Sequence, residues 1–168
     1  MLTWDEEDYL NKISEDKIVN IKPYNIRIKE IADKINQIIL SAVPGLEIRH
    51  LGASALEISG QGDIDIYIFC QPMDFDKYIC SLVGVFGEPK SKKSDSVVWK
   101  LIKESYEVEI YLTDPSSEPM QRQITIFEAL KKDKKLLDKY EKIKEEMNGK
   151  SFREYQKRKY EFYHKIID

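Results

Sequence analysis

Two aspartates in one alternating run, Asp63-Ile64-Asp65-Ile66-Tyr67-Ile68-Phe69, are the residues of this chain best placed to do chemistry. Side chains alternate along a strand, so Ile64, Ile66 and Ile68 share one face while Asp63, Asp65 and Tyr67 share the other. The isoleucines belong to a core. The two carboxylates then project from one face about 6.6 Å apart, where they repel unless a cation lies between them. Magnesium fits that demand, because it takes carboxylate and phosphate oxygens in octahedral geometry, and manganese is a close substitute. Two such ions would clamp the attacking and leaving oxygens of a phosphoryl or nucleotidyl displacement.

A site of that kind needs a third carboxylate on a neighbouring strand, as metal ligand or as acceptor of the attacking hydroxyl's proton. The run Tyr106-Glu107-Val108-Glu109-Ile110-Tyr111-Leu112 alternates in the same way and offers Glu109, with Glu107 as the alternate. It also needs a place for phosphate. Gly52-Ala53-Ser54 ends a short strand, where a glycine lets backbone approach a polyanion and the amides of a following helical turn donate to its oxygens. Lys144 and Lys159 each lie four residues after a tyrosine, Tyr140 and Tyr155, one helical turn away on the same face. They either reach phosphates in a cleft or pack their stems on the rings with the ammonium in water. His50 either donates to a phosphate or ends its strand as a structural hydrogen-bonding group.

The elements that must position these groups follow from periodicity. Residues 25–40 carry Ile28, Ile31, Ile35, Ile38 and Ile39 at helical spacing and stop before Pro44-Gly45. Strands are expected at 47–51, 63–69, 97–102 and 106–112, with a helical turn around 53–58 and a helix at 74–83. From residue 121 the period is helical to the end, interrupted by Asn148-Gly149, a helix-terminating pair. The expected fold is α+β: a mixed sheet of about four strands with flanking helices, a core over about 20–120 and a helical extension over about 121–167, read as one domain over 1–168.

Composition narrows the function classes. The 168 residues, 42% apolar and 34% charged, suffice for one sizeable core. No apolar run approaches the roughly 20 residues of a bilayer span, and the acidic start, Met1 to Asp8, is unlike a secretory signal, so a cytoplasmic location is expected. Cys70 and Cys80 read as reduced thiols, and no zinc-binding pattern surrounds His50 or His164. Residues 131–168 hold 13 Lys/Arg against 8 Asp/Glu, while the preceding body has net charge −8. That interleaving and the acidic body disfavour nucleic acid as a partner.

The run His50-Leu51-Gly52-Ala53-Ser54-Ala55, followed by Gly60-Gln61-Gly62-Asp63-Ile64-Asp65-Ile66-Tyr67, resembles the GrpB family of the nucleotidyltransferase superfamily. That family's pattern reads His-Ile-Gly-Ser-Thr-Ser and then Gly-Lys-Gly-Asp-hydrophobic-Asp. The likeness runs from about Val19 onward and includes Pro23-Tyr24, the spacing of Leu130, Tyr140 and Lys144, and the closing Tyr155, Lys159 and Phe162. It implies a nucleotidyltransferase-like core in which Gly52 and its neighbours face nucleotide phosphates and Asp63 and Asp65 hold divalent metal. Three departures remove groups that could meet a polyanion: Ala53 replaces the usual serine, Gln61 a common lysine, and Phe127-Glu128 an Arg-Asp pair. The expectation is therefore an Mg²⁺- or Mn²⁺-dependent enzyme transferring a nucleoside monophosphate from a nucleoside triphosphate to an unidentified acceptor. The rival is a degenerate relative that binds a nucleotide or other phosphorylated ligand without chemistry.

Overall fold

A computed structural model describes residues 1–167, and its centre is a five-stranded mixed sheet. The strands are β1 Glu47–Leu51, β2 Ile64–Phe69, β3 Ser91–Lys92, β4 Ser96–Lys103 and β5 Tyr106–Thr113, in the spatial order β1-β2-β5-β4-β3. Only β2 and β5 run parallel; every other neighbouring pair is antiparallel. The fifth strand, β3, is two residues long, too short for periodicity to reveal.

Alternation decides which face is buried. Ile64, Ile66, Ile68, Val108, Ile110, Leu112, Val97 and Trp99 form one sheet face, sealed by α2 Arg27–Ala42 and α3 Phe75–Phe86. Helix α2 contributes Ile28, Ile31, Ile35 and Ile39, whereas Ile38 turns outward. This is one stripe of an amphipathic helix, with Ile38 left out of it. On the opposite face Leu51, Tyr67 and Phe69 pack beneath Met120, Ile124 and Phe127 of α4 Glu118–Lys132.

Helices α5 Lys134–Glu146 and α6 Phe152–Ile167 complete that second layer, and the segment between β1 and β2 packs into it through Ile58, Ala53 and Leu56. The break between α5 and α6 is built from the Asn148-Gly149 pair. Gly149 takes φ +75°, and the Asn148 Oδ1 accepts from the Ile21 amide at 2.9 Å, tying residues 18–22 to the helices. An N-terminal helix not expected from the sequence, α1 Trp4–Lys12, lies against α6 with Leu10 buried and Tyr9 edge-on to Tyr160. Both cysteines are free. Among the described residues, no helix is long and apolar enough to cross a membrane.

Candidate functional site

Register brings the carboxylates together. In the parallel pair β2/β5, Asp65 stands directly beside Glu109 and Tyr67 beside Tyr111, and on either side Leu51 pairs with Asp65 and Lys100 with Glu109. Leu51, Asp65, Glu109 and Lys100 thus form one row across four strands, at spacings of about 4.8 Å. The row selects between the two glutamates. Glu107 lies beyond the end of β2, paired with Ile102 and exposed, so Glu109 is the one beside the aspartate.

Glu109 is not free, however. Lys100 Nζ reaches its Oε1 at 3.0 Å and the Tyr111 hydroxyl donates to its Oε2. Burial pushes the Glu109 carboxyl up, but the Tyr111 and Lys100 hydrogen bonds and the lysine charge outweigh it and hold the group below the usual range. Asp65 has the opposite fate. Burial, then the charges of Asp63 and Glu109, lift its pKa well above the ordinary carboxylate range against the pull of Lys159 and Lys100. Among the described residues no hydrogen bond to its carboxyl offsets this, so Asp65 lacks the partners that keep Glu109 ionised.

Gly52 sets the distance between this carboxylate and the corner that follows β1. Its φ of +84° is open to glycine at little cost, and a Cβ placed there would stand 3.2 Å from Asp65 Oδ2. The corner then closes into the expected helical turn, with the Leu56 amide donating to the Gly52 carbonyl and the Ile58 amide to the Ala53 carbonyl, each at 3.2 Å. Gly60 packs so closely on Ala53 that a Cβ there would lie 2.9 Å from the Ala53 methyl. Asp63 follows Gly62, whose φ is +82°, and precedes the first residue of β2.

Gly52 and Ala53 form part of the wall of a cavity of about 500 Å³, shared with Arg122, Gln123, Tyr140, Lys159 and Tyr163. Asp63, Asp65 and Glu109 do not line it; Asp65 touches its edge through Gly52. Lys159 joins the cavity to the carboxylates. Burial lowers its pKa, and the charges of Asp63 and Asp65 partly restore it, so it serves as their counter-charge. Lys144 is not in its wall: it is buried, donates to the Tyr155 hydroxyl at 2.8 Å, and burial with the nearby Lys159 charge takes its pKa down to about 7. Next to it the Tyr140 and Tyr163 hydroxyls lie 2.6 Å apart.

The remaining two phosphate candidates sit elsewhere. Period two puts His50 in register with Ile66, on the sheet face opposite Asp65. Its Nε2 is 2.8 Å from the Ser54 Oγ, and both residues line a second cavity at the β1 edge with Lys29, Arg49 and Lys131. Burial takes the His50 pKa down to about 4, so the ring is neutral at neutral pH. Here His50 is hydrogen-bonded to Ser54, away from Asp65.

Sequence reasoning missed Arg122, which lies in the stretch that shows helical period from residue 121. It also missed Glu6 of α1, whose carboxylate meets Arg122 inside the cavity at 3.3 Å. The signal for α1 is a capping box, Thr3 accepting from the Glu6 amide and Glu6 from the Thr3 amide, which Thr-x-x-Glu spells in the sequence.

The donor set fits a hard divalent cation in part. Asp63 and Asp65 supply carboxylate oxygens from neighbouring positions, and magnesium is commonly held by one or two carboxylates with phosphate and water oxygens completing the shell. Among the described residues, no group of three or more His, Cys, Asp or Glu is gathered closely enough to hold a metal ion. Glu109 is instead paired with Lys100 at 3.0 Å.

Comparison with known proteins agrees with this geometry at the level of fold. Two solved structures of Cid1 match: one, described as a poly(U) polymerase with MgGTP bound, at TM-score 0.50 and 15% identity, covers 79% of this chain and 43% of its own. The other, described by its RNA terminal uridylyl transferase activity, gives TM-score 0.53 and 14% identity, covering 83% of this chain and 43% of its own. The chain thus spans less than half of each and shares with them the nucleotidyltransferase fold. No curated protein matches it. The family model for GrpB protein matches residues 18–168, and the chain belongs to the GrpB family.

Proposed function

We propose that this protein is a nucleotidyltransferase that uses Mg²⁺ or Mn²⁺ and a nucleoside triphosphate, and that transfers the nucleoside monophosphate to an acceptor hydroxyl or phosphate with release of pyrophosphate. The observation that carries the reading is the position of Asp65: partly buried, in register with Glu109, accepting no hydrogen bond, and in contact with the glycine corner of a cavity large enough for a nucleotide. In this reading Asp63 and Asp65 hold the metal. When bound, the ion neutralises phosphate charge and favours in-line displacement.

The chain's own groups account for the rest. Gly52 and Ala53 let phosphate oxygens approach backbone, and Lys159 passes its positive charge from the aspartates to the entering triphosphate. Glu109 holds a carboxylate beside Asp65 that is deprotonated at neutral pH, and its part is to accept the acceptor's proton or complete the ligand set once Lys100 moves aside. Lys144 acts at one remove, fixing Tyr155 and adding positive charge behind Lys159.

A second reading is favoured by a specific feature: the Lys100 and Tyr111 contacts to Glu109 neutralise the third carboxylate, and Ala53 lacks a phosphate-binding hydroxyl. That arrangement suits a protein that binds a nucleotide without turning it over. Titration separates the readings. Wild type should bind ATP or GTP only with Mg²⁺, and Asp65→Asn should lose that dependence; pyrophosphate release on incubation with candidate acceptors marks the enzyme, and metal-dependent binding with no release marks the binder. Nucleotide binding indifferent to both metal and Asp65→Asn would refute the metal site.

A further inference from the structure

The cavity beside Gly52 has an internal occupant. Glu6 reaches into it from α1, and its carboxylate contacts Arg122 Nη2 at 3.3 Å and His164 Nε2 at 2.7 Å. All three side chains are largely buried, at 13%, 25% and 11% exposure for Glu6, Arg122 and His164. Burial works against the Glu6 charge, yet the hydrogen bonds from His164 and the Thr3 amide, with the His164 and Arg122 charges, hold its carboxyl below the usual range. Arg122 lines the cavity and His164 stands behind Glu6; an arginine fork beside an imidazole is a donor set that recognises a planar or tetrahedral oxyanion. Here a carboxylate of the same chain fills it.

The helix that delivers this carboxylate is lightly held. Only Leu10 of its nine residues is buried, and it is held further by the Tyr9–Tyr160 contact, the Thr3/Glu6 capping box and the Glu6 contacts themselves. It also precedes residue 18, where the match to the family model begins. Thr3 and Asp5 line the same cavity, so α1 adds acidic charge to a space that also holds Arg122, Lys159 and Glu118, the last 3.8 Å from Arg122 Nη1.

We propose that Arg122 in the wall of this cavity, with His164 behind Glu6, forms a phosphate-binding subsite, and that Glu6 on α1 occupies it as an intramolecular competitor that a ligand's phosphate group displaces. The inference deepens the nucleotide-site reading by naming what controls entry to the cavity, but it does not require the metal. The phosphate comes either from the nucleotide's polyphosphate tail or from a monophosphate on the acceptor.

The test is calorimetric titration of the full chain in EDTA with inorganic pyrophosphate and, separately, inorganic phosphate, so that the aspartates play no part. Glu6→Gln keeps an oxygen for the Thr3 amide and removes the competing charge; it should bind pyrophosphate at least fivefold more tightly than wild type. Adding Arg122→Gln should erase that gain. A gain confined to pyrophosphate assigns the subsite to the nucleotide tail, and an equal gain with inorganic phosphate assigns it to a monophosphate acceptor. Thr3→Ala, which weakens the helix cap without changing charge, should give a smaller gain of the same sign and serves if Glu6→Gln fails to fold. Affinity unchanged or weakened in both variants, or a gain that survives Arg122→Gln, would overturn the proposal.

Discussion

Replacing Gly52 by alanine perturbs the backbone corner and the Asp65 carboxylate together, and the structure allows the two effects to be separated. At φ +84° an alanine pays roughly 1–2 kcal/mol for the left-handed region. Its Cβ would also stand 3.2 Å from Asp65 Oδ2, so the carboxylate must shift by a few tenths of an ångström. Gly149 provides the control, because its φ of +75° carries a similar backbone cost while a Cβ there meets nothing within 4 Å. Urea unfolding should therefore show both alanine variants destabilised by roughly 1–2 kcal/mol, with Gly52→Ala about 0.5–1 kcal/mol worse for the added crowding. Nucleotide titration should separate them further: Gly149→Ala keeps wild-type affinity for Mg·ATP, and Gly52→Ala loses about tenfold, in line with the sensitivity of such sites to sub-ångström misplacement. Equal stability and equal affinity in the two variants would refute the idea that this glycine sets the position of Asp65.

Two further outcomes follow from features away from the carboxylates. His50 has a folded pKa of about 4 against an ordinary value of 6.5, so the folded state binds fewer protons between these values. Its contribution is intact above pH 6.5 and is lost as pH falls through 4, a loss of up to about 3 kcal/mol; His50→Gln should flatten the stability profile in that window, and an unchanged slope in urea melts from pH 7 to pH 4 would contradict it. In the β4–β5 hairpin, Glu104 and Ser105 have φ of 49° and 72°, and Ser105→Gly should raise stability by about 0.5–1 kcal/mol in a thermal melt. Glu104 is left in place because Arg27 and Lys34 hold its carboxylate at 2.7 and 3.0 Å, joining the hairpin to α2.

Much of the fold was legible because β2 and β5 each alternate aliphatic with polar residues and α2 carries an isoleucine stripe, patterns fixed by periods of two and 3.6. Which strands are neighbours was not legible. The Asp65–Glu109 register arises from a parallel pairing across 44 positions, with α3, β3 and β4 between, and no local pattern encodes that partner. The same limit hid Lys100, which reaches Glu109 from β4 and changes what that carboxylate can do. His50 and Ser54 form the instructive case. They adjoin Gly52 in sequence, but one step along a strand reverses the side chain, so His50 falls on the face opposite Asp65. Helix α1 escaped notice because a single buried residue leaves almost no apolar stripe, although its capping box stood in the sequence.

The central claim is that Asp63 and Asp65 share a cation beside the Gly52 corner. Crystals soaked with Mn²⁺ and a non-hydrolysable ATP analogue test it most directly, read by anomalous scattering. A manganese peak bonded to oxygens of both aspartates and of the bound phosphates is expected, with Lys159 turned toward the phosphates. A nucleotide bound in the cavity with no manganese at the aspartates, or a metal held by other residues, would contradict it.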